Sequence, residues 1–490
     1  MTLLIPIDHA SPVPLYRQIQ DFLSEAIRTG VLPAGTRLPA TRELAESLGV
    51  NRLTITTAYD ALTADGLVYG RQGSGTYVAA LPADPGRRPP PADDWPLWQQ
   101  ELLARSWLPA GYELDRLAAA LDRPEAISFA AGMGDSSLFP VEDFRRALLE
   151  TLRADGRVAL GYAERAGFEP LRATIARILA ERGIPAQPGQ ILITSGSQQG
   201  LSLVGRLLLR PGDVTVVESP TYEGAIDLFR GLDVRLAGVP IDREGLQVDR
   251  LDEVLATHRP RLIYTMPTYQ NPTGACLSTD RRRRLIELAD RYNVPILEDE
   301  FAADLRYEGR PPLPLAALDP GGRVIYMGTF SNILMPGLRM GFLLANGPVY
   351  ERLLAAKRVD DLSSSGLVQR ALESYITIGR YQAHLRRACQ YYRRRRDAMA
   401  DALRRHLPPG CAWTLPQGGL YIWLRLPGGL TGRDLAAAAV AEGVGCAPGE
   451  LFFPGGRPQP YVRLNFAEQP PANIEEGVRR LGRTIAACLR

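Results

Sequence analysis

Residues 190–209, QILITSGSQQGLSLVGRLLL, decide the fold. The short apolar run ILIT suits a buried strand, the turn Ser195-Gly196 interrupts it, and SQQGLSLVGRLLL continues as a helix. The same pairing recurs along the chain. DVTVVE leads into TYEGAIDLFRGL and RLIYT into STDRRRRLIELADRY, while VPILED, RVIYMG and MGFLLA follow as further apolar runs. Such alternation predicts an α/β fold, a largely parallel sheet with helices on both faces. Residues 380–490, with GGLYIWLRL and YVRLNFA as strands, read as a smaller α+β lobe. In the opening stretch, Gly196, Ser197 and Gln198 stand at a helix start, where free amide N–H groups and the helix dipole favour a phosphate. Alone the signal is weak, because a turn before any helix uses Ser and Gly.

The first eighty residues follow another pattern. Leu15, Ile19, Phe22, Leu23, Ala26 and Ile27 fall at helical spacing that stops at Gly30. A second helix is expected over Thr41–Leu48, closed by Gly49, and a third from about Asn51 to Ala64, closed by Asp65-Gly66. GLVYGRQGSGTYV, 66–78, alternates apolar residues around a Gly-rich centre and predicts a β-hairpin. Helix, helix-turn-helix and hairpin together describe a winged helix. Residues 80–96, ALPADPGRRPPPADDWP, make a semi-extended connector. A helical rhythm then resumes with Leu97, Trp98, Leu102, Leu103 and Trp107, expected to dock on the large domain. The expected division is therefore a DNA-binding domain at 1–80, a linker at 81–121 and a large domain at 122–490.

Composition narrows the function classes. A hydrophobic content of 45% suits a globular protein, and no apolar run is long enough to span a bilayer. MTLLIPIDHASPVP lacks a basic leader followed by a long apolar core, so a cytoplasmic location is expected. The 5 cysteines are scattered without a CxxC pair and the 4 histidines are equally dispersed, so neither a disulfide framework nor a metal site is expected. Lys357 is the sole lysine. Residues 1–80 hold six arginines against seven acidic residues, a weak electrostatic footprint for a DNA binder.

The run LPATRELAESLGVNRLTITTAYDALTADGLVYGRQGSGTYV, 38–78, resembles the DNA-binding domain of GntR-type bacterial regulators, over most of residues 12–79. The resemblance implies double-stranded DNA as partner, with Arg42, Asn51, Arg52, Thr54 and Thr57 facing it and Arg71 and Gly75 in the wing. Gly73 and Gly75 would let the wing backbone approach closely. Ala40 departs from the family's usual serine, which could cap the second helix with Glu43; its loss costs about 1 kcal/mol. From about residue 125 the chain resembles fold-type I aminotransferases, and the combination is similar to the MocR subfamily of GntR regulators. That likeness implies a site for pyridoxal phosphate. Gly196, Ser197 and Gln198 in ITSGSQQG, with Thr329, Ser331 and Arg339 in TFSN and the LR that follows, would hold the phosphate. Tyr222 in SPTYEG would stack on the ring, Asn271 in TYQNPTG would bond the phenolic oxygen, and Asp299 in ILEDE would keep the pyridine nitrogen protonated. Arg463 in YVRLNFA would grip an α-carboxylate, and Tyr162 in LGYAERAGF would reach the phosphate of a neighbouring subunit, which requires a homodimer.

Two positions break the pattern. Asn332 stands where the family places its imine-forming lysine, and Phe301 where such regulators commonly have a tyrosine. A carboxamide nitrogen is neither nucleophilic nor basic, so no catalytic residue is expected. Lys357, in LLAAKRVDD, is expected to be a solvated surface residue and no substitute. The function expected is a regulator whose aminotransferase-like domain senses a small-molecule effector and is not an enzyme. Three occupants stay open: pyridoxal phosphate bound without a covalent bond, its preformed imine with an amino acid, or another anionic metabolite. The rival expectation is an active aminotransferase with an accessory DNA-binding domain.

Overall fold

A computed structural model describes residues 5–8, 11–29, 31–71, 74–79, 96–104, 109–310 and 312–490; Gly30, Gly73, Trp107 and nearly all of the connector lie outside them, as do the side chains of Leu102 and Leu103. The chain divides into two compact units, one ending at Ser106 and one beginning at Trp107.

In the first unit, helices Leu15–Arg28, Thr41–Leu48 and Arg52–Ala64 close over Ile19, Leu23, Leu44, Ile55 and Leu62, all buried. Gly49 ends the middle helix in the left-handed region, at φ 64°, which turns the chain into the third helix. Ala40 precedes the middle helix with no side-chain cap. The hairpin pairs Val68–Arg71 with Gly75–Val78, setting Val68 opposite Val78 and Arg71 opposite Gly75. The winged helix expected from residue spacing is present.

The second unit is built on an eight-stranded sheet. Its strands lie in the order Ile191–Thr194, Gly341–Leu344, Val324–Thr329, Ile296–Glu300, Leu262–Thr265, Val214–Ser219, Arg235–Asp242 and Gly245–Leu246. The strands from Val324–Thr329 through Arg235–Asp242 are mutually parallel, whereas Gly341–Leu344 runs antiparallel to both its neighbours. Two apolar cores form on this sheet: Leu192, Val217, Tyr264 and Leu297 belong to one, and Val216, Ile263 and Ile296 to the other. In the central strands the neighbours Val216 and Val217, Ile263 and Tyr264, and Ile296 and Leu297 thus fall into different cores, as the pleat requires. The 27-residue helix Arg380–His406 leads into a four-stranded antiparallel sheet containing Tyr421–Arg425 and Tyr461–Asn465, the small lobe.

The helical stretch after the connector forms two helices, Leu97–Ala104 and Ala110–Ala120. The second packs on the large domain. The N–H groups of Ala110 and Gly111 donate to the Asp227 carboxylate at 2.8 and 3.1 Å, and Glu113 pairs with Arg433 at 2.9 Å. Leu97 and Trp98, expected to dock, are exposed. Among the described residues no helix is long and apolar enough to cross a membrane.

Candidate functional site

In the winged helix, the residues expected to face DNA are displayed with little internal use. Arg42, Asn51, Arg52, Thr57, Arg71 and Gly75 are exposed and Thr54 is half-buried. Asn51 serves as N-cap of the third helix, its Oδ1 accepting from the Leu53 N–H at 2.9 Å. Thr57 donates to the Leu53 carbonyl at 2.9 Å. In the wing, Arg71 lies over the Tyr77 ring, 5.7 Å from its centroid. Gly75 has φ 119°, and a Cβ there would come within 3.1 Å of Arg37 Nε. One residue of this surface escaped notice in the sequence: Leu53, 70% exposed between Arg52 and Thr54. Its apolar character concealed it.

The second site lies at the C-terminal edge of the large sheet, where open α/β folds bind ligands. Residues 196–198, Tyr222, Asn271 and Ser331 follow the strands ending at Thr194, Ser219, Thr265 and Thr329, while Asp299 and Thr329 lie at the C-terminal ends of theirs. Arg339 reaches the same edge because the strand it precedes, Gly341–Leu344, runs the other way. At one end, Arg339 Nη2 donates to the Ser195 carbonyl at 3.2 Å and lies where a Cβ on Gly196 would come within 2.8 Å. Gly196 itself has φ 92°. A Cβ on Gly341 would stand 2.9 Å from the Ser197 nitrogen, so only glycine lets this strand pass beneath the helix start. The helix Ser197–Leu208 thus opens with its first N–H groups facing an arginine-lined turn. Ser331 N–H donates to Thr329 Oγ1 at 3.1 Å.

At the other end, Arg463 and Asn271 meet, Nη1 donating to Oδ1 at 3.0 Å, and Nη2 donates to the Ala130 carbonyl at 2.8 Å. The guanidinium lies over the Tyr421 ring at 4.4 Å. Phe301 stacks on the same ring, with centroids 6.1 Å apart. Tyr222 joins the two ends: its hydroxyl donates to Gln198 Oε1 at 3.1 Å and its phenol is pushed above the usual range by burial and by the charges of Glu223 and Asp299. Asn332 Nδ2 lies 3.5 Å from the Phe301 carbonyl oxygen. Tyr162 is not brought in; it is 88% exposed.

Several buried polar atoms here lack a hydrogen-bond partner among the described residues: Asp299 Oδ1, Ser331 Oγ, Arg463 Nε and Glu223 Oε2. Burial without a partner costs about 1–3 kcal/mol per group, so each of these atoms is a candidate for contact with a ligand. Asp299 Oδ2 accepts from the Tyr264 hydroxyl at 2.8 Å. Burial pushes the Asp299 carboxyl up to about 7, against the lowering effect of the Tyr264 bond. Glu223 is also raised by burial, opposed by Arg463, whose Nη1 is 3.8 Å away.

Three contributors were missed in the sequence. Tyr264 looked like strand packing in RLIYT, Tyr421 like packing in GGLYIWLRL, and Glu223 gave no signal beyond its place after Tyr222. Lys357 requires a correction. It is fully buried, not solvated: Nζ donates to both Asp361 oxygens at 2.6 Å and to Ser364 Oγ at 3.1 Å. Ser364 in turn lies 3.4 Å from Ser195 Oγ, so this ion pair sits behind the Ser195-Gly196 turn. The helix amphipathicity that would have shown this is obscured by the charged residues around it in AAKRVDD.

Two family descriptions match the chain: Aminotransferase class I and II over residues 127–481, and Bacterial regulatory proteins, gntR family, over residues 15–78. Aromatic-amino-acid aminotransferase 1 of Thermococcus litoralis is 39% identical, over 76% of this chain and 91% of its own length. The probable rhizopine catabolism regulatory protein MocR of Rhizobium meliloti is 33% identical over 98% of this chain and 95% of its own. Among solved structures, kynurenine aminotransferase of Pyrococcus horikoshii, in complex with PMP, superposes with a TM-score of 0.75 at 36% identity, covering 80% of this chain and 100% of that one.

Proposed function

This chain belongs to the aminotransferase class I and II family and carries a gntR-family regulatory domain at its N-terminal end, and from that premise we propose that it is a transcription regulator whose large domain binds a vitamin B6 ligand without chemical conversion. The observation that carries the proposal is Asn332. It follows Ser331 in the segment where catalytic relatives of this fold place an amine, and here the side chain ends in a carboxamide beside the Phe301 carbonyl. A carboxamide neither attacks a carbonyl nor takes a proton from carbon. Loss of general acid–base catalysis alone removes about 10²–10⁴-fold in rate. Lys357 does not replace it, because its ammonium is held by Asp361 and Ser364 behind the phosphate turn.

The residues present fit pyridoxal phosphate. The orphaned Ser331 Oγ, the open N–H groups at Ser197 and the Arg339 guanidinium suit the phosphate. The orphaned Asp299 Oδ1 suits a protonated ring nitrogen, with Tyr264 holding the other carboxylate oxygen in place. Tyr222 supplies a ring face and Asn271 an amide for the phenolic oxygen, while Arg463 Nε awaits a carboxylate. When bound, the cofactor supplies an electron sink; in this chain no residue at 332 uses it. The ligand is thus pyridoxal phosphate alone or already joined to an amino acid. Glu223, packed near Arg463, must release that arginine before a carboxylate takes its place.

DNA binding rests on the third helix and wing, displaying Arg42, Arg52, Thr57 and Arg71. A homodimer completes the cleft by bringing Tyr162 of the partner to the phosphate. Its support is a set of exposed apolar residues, Val141, Leu149 and Leu152 on the helical segment before a break at Gly156 and Val158 and Leu160 after it, ending two residues before Tyr162. Ligand binding controls DNA affinity only if one arrangement of the dimer binds it better. The test is selection of genomic fragments by the purified protein, followed by titration of the selected DNA with and without pyridoxal phosphate and amino acids. A ligand-dependent shift in DNA affinity is expected. Formation of pyridoxamine phosphate at enzymatic rates, or DNA affinity indifferent to every ligand that binds the cleft, contradicts the proposal.

A further inference from the structure

A second cavity opens on the opposite face of the sheet from the cleft. It measures about 930 Å³, within the range of small-molecule sites. Strand alternation places it: Asp299 faces the cleft with Tyr264, so its neighbour Glu300 projects to the other side. There Glu300 Oε1 accepts from Thr268 Oγ1 at 2.7 Å, while Oε2 is buried and has no partner among the described residues. Gln382, on the long helix Arg380–His406, also lines the cavity, and its Oε1 is likewise buried and unpartnered.

The deep wall of the cavity is neutralised elsewhere. Arg182 pairs with Asp304 and donates to the Tyr326 hydroxyl at 2.7 Å, and Tyr381 closes Asp304's second oxygen at 2.8 Å. The two orphan oxygens of Glu300 and Gln382 are therefore acceptors left over, a set that suits an ammonium group. At the mouth the chemistry reverses. Arg306, Arg310 and Arg386 line it, are exposed, and make no salt bridge to any described residue. Unpartnered acceptors on Glu300 and Gln382, together with the guanidinium groups of Arg306, Arg310 and Arg386 on the same cavity, suit a ligand cationic at one end and anionic at the other. Burial, followed by the charge of Glu298, raises the Glu300 carboxyl well above its usual range, against the lowering charges of Arg282 and Arg182, and a further cation bonded to its free oxygen reduces that cost.

We propose that this cavity is a second effector site, separate from the cofactor cleft, for a free amino acid or similar small zwitterion, its ammonium on Glu300 and Gln382 and its carboxylate on the arginines of the mouth. Glu300 and Asp299 are consecutive on one strand, so the two sites share a backbone segment. The inference does not depend on what the cleft holds.

The test is calorimetric titration of the cofactor-free full chain with glycine, L-alanine and L-glutamate, and with methylamine and acetate as half-ligands. At least one amino acid is expected to bind saturably, and to do so also in Arg463→Ala protein, which lacks the carboxylate grip of the cleft. Both half-ligands bind at least about tenfold more weakly, the expected cost of one charged hydrogen-bonding group. Glu300→Gln and the exposed pair Arg310→Ala/Arg386→Ala each weaken the amino acid by a similar factor, and the pair leaves pyridoxal phosphate binding unchanged. No saturable binding by any of the three, or binding lost in folded Arg463→Ala protein, overturns the proposal. So does binding unaltered in the Arg310→Ala/Arg386→Ala protein, a result that stands even if Glu300→Gln fails to fold.

Discussion

The winged helix and the cofactor cleft present functional residues in opposite ways. On the winged helix, Arg42, Arg52 and Arg71 stand in solvent, where unpaired charge costs little; in the proposed reading they meet DNA. In the cleft, Asp299, Ser331 and Arg463 keep atoms buried and unpartnered, a cost that only a ligand fitted to all of them can offset. The difference teaches that the two surfaces can be altered independently. Under the proposed function, the carboxamide of Asn332 takes chemistry out of the cleft while Asp299, Ser331 and Arg463 remain to bind.

The strongest attack on this contrast is to restore the amine. Asn332→Lys is expected to convert a protein that gives no borohydride-stable adduct with pyridoxal phosphate into one that gives a stoichiometric adduct, seen as a mass increase after reduction and denaturation. Failure in folded protein means that the cleft does not orient the cofactor as proposed. Next in size, Arg339→Ala should weaken pyridoxal phosphate by about 10–100-fold, as one charged phosphate contact is worth about 1.5–3 kcal/mol. DNA affinity of the ligand-free protein should not change. The reciprocal substitution, Arg52→Ala, should weaken operator DNA by about tenfold, the lower part of the ~1–3 kcal/mol range for a base contact. Its calorimetric titration with pyridoxal phosphate should match the wild type.

The smallest effect is on stability. Burial raises the Asp299 carboxyl to about 7, so the folded chain holds this proton more tightly than the unfolded chain. Its contribution is full at or below the ordinary carboxylate range and is lost as pH rises to about 7. Ligand-free Asp299→Asn should therefore gain in melting temperature relative to the wild type on going from pH 5 to pH 8. An identical difference at both pH values means that Asp299 titrates normally.

Much of this was legible in the sequence because it depends on local chemistry. Gly49 marks a helix end wherever it stands, and apolar runs such as ILIT and LIYT leave little choice but buried strands. Motif residues on loops, such as Asn271 and Arg339, were recognisable through the resemblance of TYQNPTG, and of TFSN with the LR that follows, to the family's motifs. What stayed hidden depends on distant contacts. Lys357 and its partners Asp361 and Ser364 are covered where this segment meets the distant Ser195 turn, and charge in AAKRVDD masks the apolar face. Tyr264 and Tyr421 were indistinguishable from packing until Asp299 and Arg463 were placed against them. The Glu300 cavity had no sequence signal, since its walls come from strand, loop and long helix far apart in the chain.

One measurement tests the central claim most directly: calorimetric binding of pyridoxal phosphate to the unaltered protein, paired with borohydride reduction and denaturing mass spectrometry of the same sample. Saturable binding with an unmodified protein mass is the predicted result. A pyridoxyl group bonded to Lys357 or any other side chain, or no binding at all, would contradict the account.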